Sequence, residues 1–254
     1  MFQYLLTPPE QLSEAESFHL PPVHLAWYIG PDGRLHAVPG SDACRGGLML
    51  VGTADTPGDG SADRAVRDIL SLCRDRAFRG VVLDPEEDPS PFLTRLIHGL
   101  DRRLERDGRG FFLPERYAAF SRRAFLFLSS AVSGGSLRQR LEKIAEAYGA
   151  QRLVLALERS AEDFPLPSPN GKGKALTREE LADLLHRLGG KPQFSPELCA
   201  YTLPYLDRRS RPRLLLFDNT DSLRRKRDLA RELGIERFFL LYPQLEDLLP
   251  SLLA

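Results

Sequence analysis

The stretch Ala77–Pro91, AFRGVVLDPEEDPSP, decides how this chain is read. An apolar run, Val81-Val82-Leu83, drives into Asp84, and Glu86, Glu87 and Asp88 follow directly. Continuous rather than alternating hydrophobicity marks a strand covered on both faces, as parallel strands under helices are. Side chains alternate along a strand, so Val82, Asp84 and Glu86 lean to one side. If that side is the interior of a parallel barrel, both carboxylates stand at the strand's C-terminal end, where barrel active sites sit. Like charges held close raise one pKa, which is how a carboxylic acid stays protonated to donate near neutral pH. Glu87 and Asp88 read differently, as acidic decoration of the next helix's N-terminus, where anions are favoured.

Similar apolar runs recur along the chain. They are VHLAWYI (Val23–Ile29), LMLVG (Leu48–Gly52), GVVLD itself (Gly80–Asp84) and GFFL (Gly110–Leu113). AFLFLS (Ala124–Ser129), RLVLAL (Arg152–Leu157), RLLLF (Arg213–Phe217) and RFFLLY (Arg237–Tyr242) continue the series. Amphipathic segments separate most of them. SADRAVRDILSLCRDRAF carries Ala65, Ile69, Leu72 and Cys73 on one stripe, with Ser61 as N-cap. Ser90 or Asp88 caps a helix whose Phe92, Leu93, Leu96, Ile97 and Leu100 keep a helical period and which stops at Gly108. SLRQRLEKIAEAYG ends at Gly149, Thr177 and Glu180 have capping-box spacing, and a further helix fills Asp221–Gly234. Eight candidate strands with helices between them predict a parallel sheet with right-handed crossovers: an irregular (β/α)8 barrel, a single domain spanning residues 1–254. A doubly wound open sheet is the alternative. The barrel is irregular because PDGRLHAVPGSDACRGG offers turns rather than a helix, and PLPSPNGKGK is a long Pro/Gly-rich loop.

Composition narrows the function. The chain's 35 Lys and Arg balance 35 Asp and Glu, without the basic excess that nucleic acid selects for. The N-terminus, MFQYLLTPPEQLSEAESF, lacks the features of a signal peptide, and no run reaches the ~20 apolar residues that span a bilayer. Cys44, Cys73 and Cys199 are odd in number and widely spaced, which fits a reducing compartment. These readings predict a cytoplasmic protein with no nucleic-acid or membrane partner. The five histidines show no metal-ligand spacing. No Gly-x-Ser-x-Gly elbow is present, so acyl transfer by a Ser or Cys nucleophile is unsupported.

FRGVVLDPE (Phe78–Glu86) resembles the signature of family 18 glycoside hydrolases, the chitinase-like barrels, in which an aromatic, a Gly and a strand lead to Asp-x-Glu. The resemblance places Glu86 as general acid and Asp84 as the carboxylate that orients the substrate's N-acetyl group. That group supplies the nucleophile, so one protonated carboxylate suffices and neither metal nor organic cofactor is implied. Phe217–Pro243, FDNTDSLRRKRDLARELGIERFFLLYP, is similar to the family's closing unit of aspartate-rich turn, helix and last strand. The sequence also departs from the pattern. Arg79 and Val82 stand where two further aspartates precede the Asp-x-Glu, and Pro85 replaces an aromatic. Leu126–Gly135 lacks a Tyr-Asp pair, Tyr242 replaces a terminal Trp, and the motif falls on the third candidate strand instead of the fourth, which suggests a miscounted strand near Arg34–Val38.

The resemblance implies hydrolysis of an N-acetylglucosamine-containing glycan, with a non-catalytic glycan-binding or scaffold protein as the alternative. Asp163 and Phe164, just after the sixth candidate strand, are expected to line the sugar site, with Tyr201, Tyr205 or Tyr242 adding binding surface. A third reading is a barrel enzyme for a small phosphorylated substrate, using the glycine turn at Ser133–Ser136.

Overall fold

The computed structural model describes residues 1–53, 62–168 and 171–254. They form two compact units, each described by itself: Met1–Leu128 with Gln151–Ala156 and Glu236–Pro243, and Ser129–Ala150 with Leu157–Ile235 and Gln244–Ala254. Elements are numbered in chain order. Strands β1 (Phe2–Thr7), β2 (Pro22–Ile29), β3 (Leu35–Ala37), β4 (Leu48–Thr53), β5 (Gly80–Asp84), β6 (Gly110–Pro114), β7 (Phe125–Ser129) and β8 (Leu153–Leu157) come first. Strands β9 (Ala161–Pro165), β10 (Lys174–Ala175), β11 (Gln193–Ser195), β12 (Ala200–Leu206), β13 (Pro212–Phe217) and β14 (Arg237–Leu241) follow. The helices are α1 (Leu12–Ala15), α2 (Ala62–Asp75), α3 (Pro91–Arg106), α4 (Leu137–Tyr148), α5 (Arg178–Leu188), α6 (Thr220–Glu232), α7 (Tyr242–Leu245) and α8 (Leu249–Leu253). Among the described residues, no helix is long and apolar enough to cross a membrane.

The first unit is built on a closed parallel ring in the order β1-β14-β8-β7-β6-β5-β4-β2, with β2 pairing back onto β1. Its interior is filled, as barrel interiors are. Val23, Leu48, Leu50, Val82, Phe112, Val154 and Phe239 form one buried cluster, with Tyr4, Leu6, Leu25, Phe125, Phe127 and Ala156 packed against it. All eight ring strands contribute to this cluster, so its members face inward. Tyr4 meets Phe112 and Phe239 edge-on, with ring centroids 6.0 and 5.8 Å apart.

The expected (β/α)8 barrel is present, but two of its strands differ from the sequence reading. The missing strand is Phe2–Thr7, which lies in the segment read as lacking signal-peptide features, and not Arg34–Val38, most of which forms the short antiparallel β3 beside β2. RLLLF is β13 and belongs to a separate five-stranded antiparallel sheet in the second unit, ordered β10-β9-β13-β12-β11. Its continuous apolar run does report two covered faces. Leu215 and Phe217 pack with Leu181, Leu184 and Leu203, whereas Leu216 packs with Phe164 and Ala200. Coverage on both faces does not require a parallel neighbour.

Helix ends follow local chemistry. Ser90 Oγ accepts from Leu93 N at 3.1 Å and caps α3, and Thr177 with Glu180 forms the capping box of α5. Phe92, Leu93, Leu96, Ile97 and Leu100 are all fully buried on one stripe. The expected cap of α2, Ser61, lies outside the described residues, as do Pro169 and Asn170 of the Pro/Gly-rich loop.

In the second unit α6 carries Lys226, which is fully buried and paired with the equally buried Asp218, Nζ to Oδ2 at 2.7 Å. Asp218 also accepts from Ser160 N at 2.9 Å and from Ser222 Oγ at 2.8 Å, so its lone pairs are well used. Removing one partner of such a pair strands the other charge out of water. Lys226→Met is expected to cost about 3–5 kcal/mol. Arg231→Met, on the exposed side of the same helix, should stay within about 0.5 kcal/mol. Urea unfolding of the two variants measures the contrast.

Candidate active site

The residues ahead of Asp84 seat β5. Phe78 is fully buried, its ring 5.2 Å from Trp27 and 5.6 Å from His24. Gly80 pairs with Gly110 of β6, and a Cβ on Gly80 would stand 2.5 Å from the Gly110 carbonyl oxygen. Only glycine permits that approach. Val82 lies in the barrel core, and Asp84, two residues on, takes the same inward side. Its register partner on β4 is Gly52, which brings no side chain beside the carboxylate. Asp84 is half-buried, Pro85 buried and Glu86 exposed.

The backbone on both sides of Glu86 is held by side chains from the 3-10 turn Glu115–Phe120 that follows β6. Arg116 Nη2 donates to the Pro85 carbonyl and the Tyr117 hydroxyl donates to the Glu87 carbonyl. Thr53, the last residue of β4, donates its hydroxyl to the Glu87 carboxylate. Glu87 therefore does not decorate the next helix. Ser90 caps α3, whose first turn contains no acid, and the Glu87 carboxylate is held by Thr53 on the barrel rim. Tyr117 is fully buried beneath Arg116, whose guanidinium lies 5.4 Å from the ring centre. Burial pushes the Tyr117 hydroxyl upward, against the opposing pull of Arg116, so it stays protonated and donating at neutral pH.

Tyr242 also belongs to the first unit. It is buried and edge-on to Phe18, with ring centroids 6.0 Å apart. The other expected sugar-site residues lie in the second unit. Strand alternation puts Asp163 and Phe164 on opposite faces of the antiparallel sheet, so they do not line one site together. Phe164 packs beneath Leu216 and Ala200. Asp163 receives Arg213 Nε at 2.9 Å on both oxygens, and the Tyr205 hydroxyl accepts from the same Nε at 3.2 Å. Tyr201 donates to Asp221 at 2.9 Å and lies on Phe217. The Ser133–Ser136 turn leads into α4, where Ser136 Oγ caps Gln139 N at 3.3 Å.

Sequence reading missed Thr53, Arg116 and Tyr117, which lie 34, 31 and 30 residues from their partners. No local spacing signals contacts made across strands. It also missed a group in the second unit. Ser129, at the end of β7, donates to Glu158 Oε2 at 2.7 Å, and Ser130 Oγ accepts from Glu158 N at 3.1 Å. These serines occupy the strand end where a Tyr-Asp pair was sought. All three cysteines are buried, and desolvation pushes the Cys73 thiol up to about 11, so it offers no thiolate near neutral pH.

Neither a protein-family model nor a curated protein matches the sequence. Solved structures do match its fold. A chitinase from Chromobacterium violaceum aligns over 93% of this chain and 93% of its own, with 15% identity and a TM-score of 0.69. The fold is that of the family 18 chitinases. A family 18 chitinase from Cycas revoluta, in complex with allosamidin, aligns over 99% of this chain and 98% of its own, with 14% identity and a TM-score of 0.68. The spore cortex-lytic enzyme SleL of Bacillus cereus aligns over 99% of this chain and 74% of its own, with 14% identity and a TM-score of 0.69. With β1 counted, GVVLD is the fourth ring strand along the chain, the place of the Asp-x-Glu strand in the resemblance.

Each clamp hydrogen bond on the Glu86 loop is worth about 1 kcal/mol. Tyr117→Phe is expected to speed amide exchange at Glu86–Asp88 roughly fivefold, as loss of ~1 kcal/mol implies, and to leave the α3 amides unchanged. Hydrogen-exchange mass spectrometry reads both.

Proposed function

We propose that this chain is a glycoside hydrolase acting on an N-acetylglucosamine-containing glycan. The observation that carries the reading is Glu86, two residues beyond an inward Asp84 at the C-terminal end of the fourth ring strand. Supporting it, the Cycas revoluta chitinase of the same fold was crystallised with (GlcNAc)3.

In the proposed reaction Glu86 protonates the leaving glycosidic oxygen as the carbonyl oxygen of the substrate's own N-acetyl group attacks the anomeric carbon. The leaving bond breaks and a cyclic intermediate forms. Asp84 orients the acetamido nitrogen and steadies the positive charge that develops there. Glu86, now ionised, takes a proton from the water that opens the ring. The water's hydroxyl goes to the anomeric carbon, the N-acetyl group is restored, Glu86 is protonated again, and one water is consumed per bond cleaved. Glu86 is exposed in the free protein, so the glycan itself supplies the dry surroundings that such a transfer favours. The Arg116 and Tyr117 clamp fixes the backbone from which the acid reaches.

A specific observation favours a second reading, a glycan-binding protein without turnover. Ser129, the last residue of β7, and Ser130 after it stand in the segment where the resemblance has a Tyr-Asp pair, and both are engaged with Glu158.

Glu86→Gln is expected to lower kcat on chito-oligosaccharides by at least about 100-fold with KM little changed, the pattern of a lost general acid. Asp84→Asn should lower kcat as well. Binding that is equal in wild type and Glu86→Gln, with no turnover by either, would select the second reading.

A further inference from the structure

A second candidate site lies wholly within the second unit. An open groove of about 670 Å³ runs between the end of α5 and the β12–β13 hairpin, over Leu184, Leu188 and Leu206. Five arginines and two aspartates line it, and the pairing is uneven. Asp163 is taken by Arg213, and Asp207 by Arg211 at 2.7 Å. Arg187, Arg208 and Arg209 are left without a carboxylate partner among the described residues. In a chain of zero formal charge, this concentrates positive charge at one groove.

The hairpin is shaped to present those arginines. Asp207 accepts from Arg209 N at 2.8 Å, Arg211 N at 3.0 Å and Arg211 Nε at 2.8 Å. Ser210 adopts a left-handed φ of 58° to complete the turn. Arg208 and Arg209 therefore project from a fixed loop tip, and Arg187 stands opposite on the last turn of α5. The Arg211 guanidinium holds the Asp207 carboxyl down to about 2, so the turn keeps its anchor wherever a ligand carboxylate is charged.

We propose that this groove binds a short glycan segment bearing carboxylates, each held by a guanidinium fork while the sugar rings lie over the leucine floor. Guanidinium matches a carboxylate with two parallel hydrogen bonds. The groove volume suits a ligand of a few rings rather than a long polymer track. A single-stranded nucleic acid would call for stacking platforms, and among the described residues the groove's one aromatic is Tyr205, whose hydroxyl is bonded to Arg213. That the anion is a sugar rests on the glycan reading above; that the ligand is anionic does not.

Calorimetric titration of the Glu86→Gln protein, with two matched tetrasaccharides, tests the proposal without interference from turnover. One is chitotetraose, and the other alternates N-acetylglucosamine with N-acetylmuramic acid, adding carboxylates to the same backbone. The carboxylated probe is expected to bind at least tenfold tighter, with an advantage that shrinks between 50 and 200 mM salt, at roughly these levels, as phosphate and carboxylate contacts do. Arg208→Ala with Arg209→Ala, and separately Arg187→Ala on the other wall, should each remove most of that advantage and leave chitotetraose binding and the unfolding midpoint unchanged. Equal affinity for the two sugars, an advantage that survives both variants, or tighter binding of an oligothymidylate of equal charge would overturn it. Arginine-dependent discrimination in a protein that hydrolyses nothing would keep the groove and remove the hydrolase. Turnover without discrimination would do the reverse.

Discussion

The first strand closes the barrel. β1 pairs with β14 along five residues, Phe2 to Leu6, and with β2 through Leu5, Leu6 and Thr7. Bonds beyond the ladder tighten both sides, with Phe2 N on the Glu236 carbonyl at 2.8 Å and Leu5 N on the Pro21 carbonyl at 3.0 Å. Without this strand β14 would expose an unpaired edge, and β2 would expose the part of its edge, Pro22–His24, that β3 does not cover, which native sheets avoid. β1 also carries Tyr4 and Leu6 into the interior cluster. Closure gives the inward direction its meaning. In an open sheet the side of Val82 and Asp84 would be covered by helices, whereas in a ring it leads to the barrel mouth.

The motif on β5 divides into scaffold and chemistry. Phe78 and Gly80 serve the scaffold: one fills the layer outside the ring against Trp27, and the other lets β5 approach β6. Val82 completes the core floor. Asp84 and Glu86 then emerge where apolar neighbours end, and distant side chains hold the loop that carries them. A resemblance that includes Phe78 and Gly80 therefore reports the fold as much as the activity, which explains why it survives where other family positions have changed.

The sequence made the barrel legible because ring strands covered on both faces appear as uninterrupted apolar runs. Seven of those runs are ring strands, GVVLD and RFFLLY among them. The reading failed where the same signal has another cause. β13 is apolar throughout because its two faces meet different clusters of an antiparallel sheet. Its partner β12, AYTLPYL, mixes polar and apolar residues, and a tight Asp207–Arg211 turn joins the two, a local hairpin signal that was available. β1 was hidden by its position, since a terminal run invites reading as a leader. The side of Asp84 was legible because two-residue spacing from Val82 fixes it, whereas β5 ends at Asp84 and alternation does not reach Glu86. The clamp was not, because Thr53, Arg116 and Tyr117 reach the loop from other strands. Asp163 and Phe164 were misgrouped because adjacent residues on a strand face apart.

Substitution within the motif bears on what the barrel mouth can do. Val82 belongs to the buried cluster, so the position two residues before Asp84 contributes hydrocarbon where the resemblance has a carboxylate. Asp84 thus rests on an apolar floor beside the bare backbone of Gly52, with no acidic side chain beneath it on β5. Under the proposed reaction, work that several carboxylates would share falls on Asp84 alone. The acid one step further out remains anchored through its neighbours' carbonyls, by contacts independent of the lost aspartates. The contacts that hold the Glu86 loop are therefore separate from the residues beneath Asp84. The two proposed readings, a glycan hydrolase and a glycan-binding protein, therefore call for the same fold and differ only in what surrounds Asp84 and Glu86.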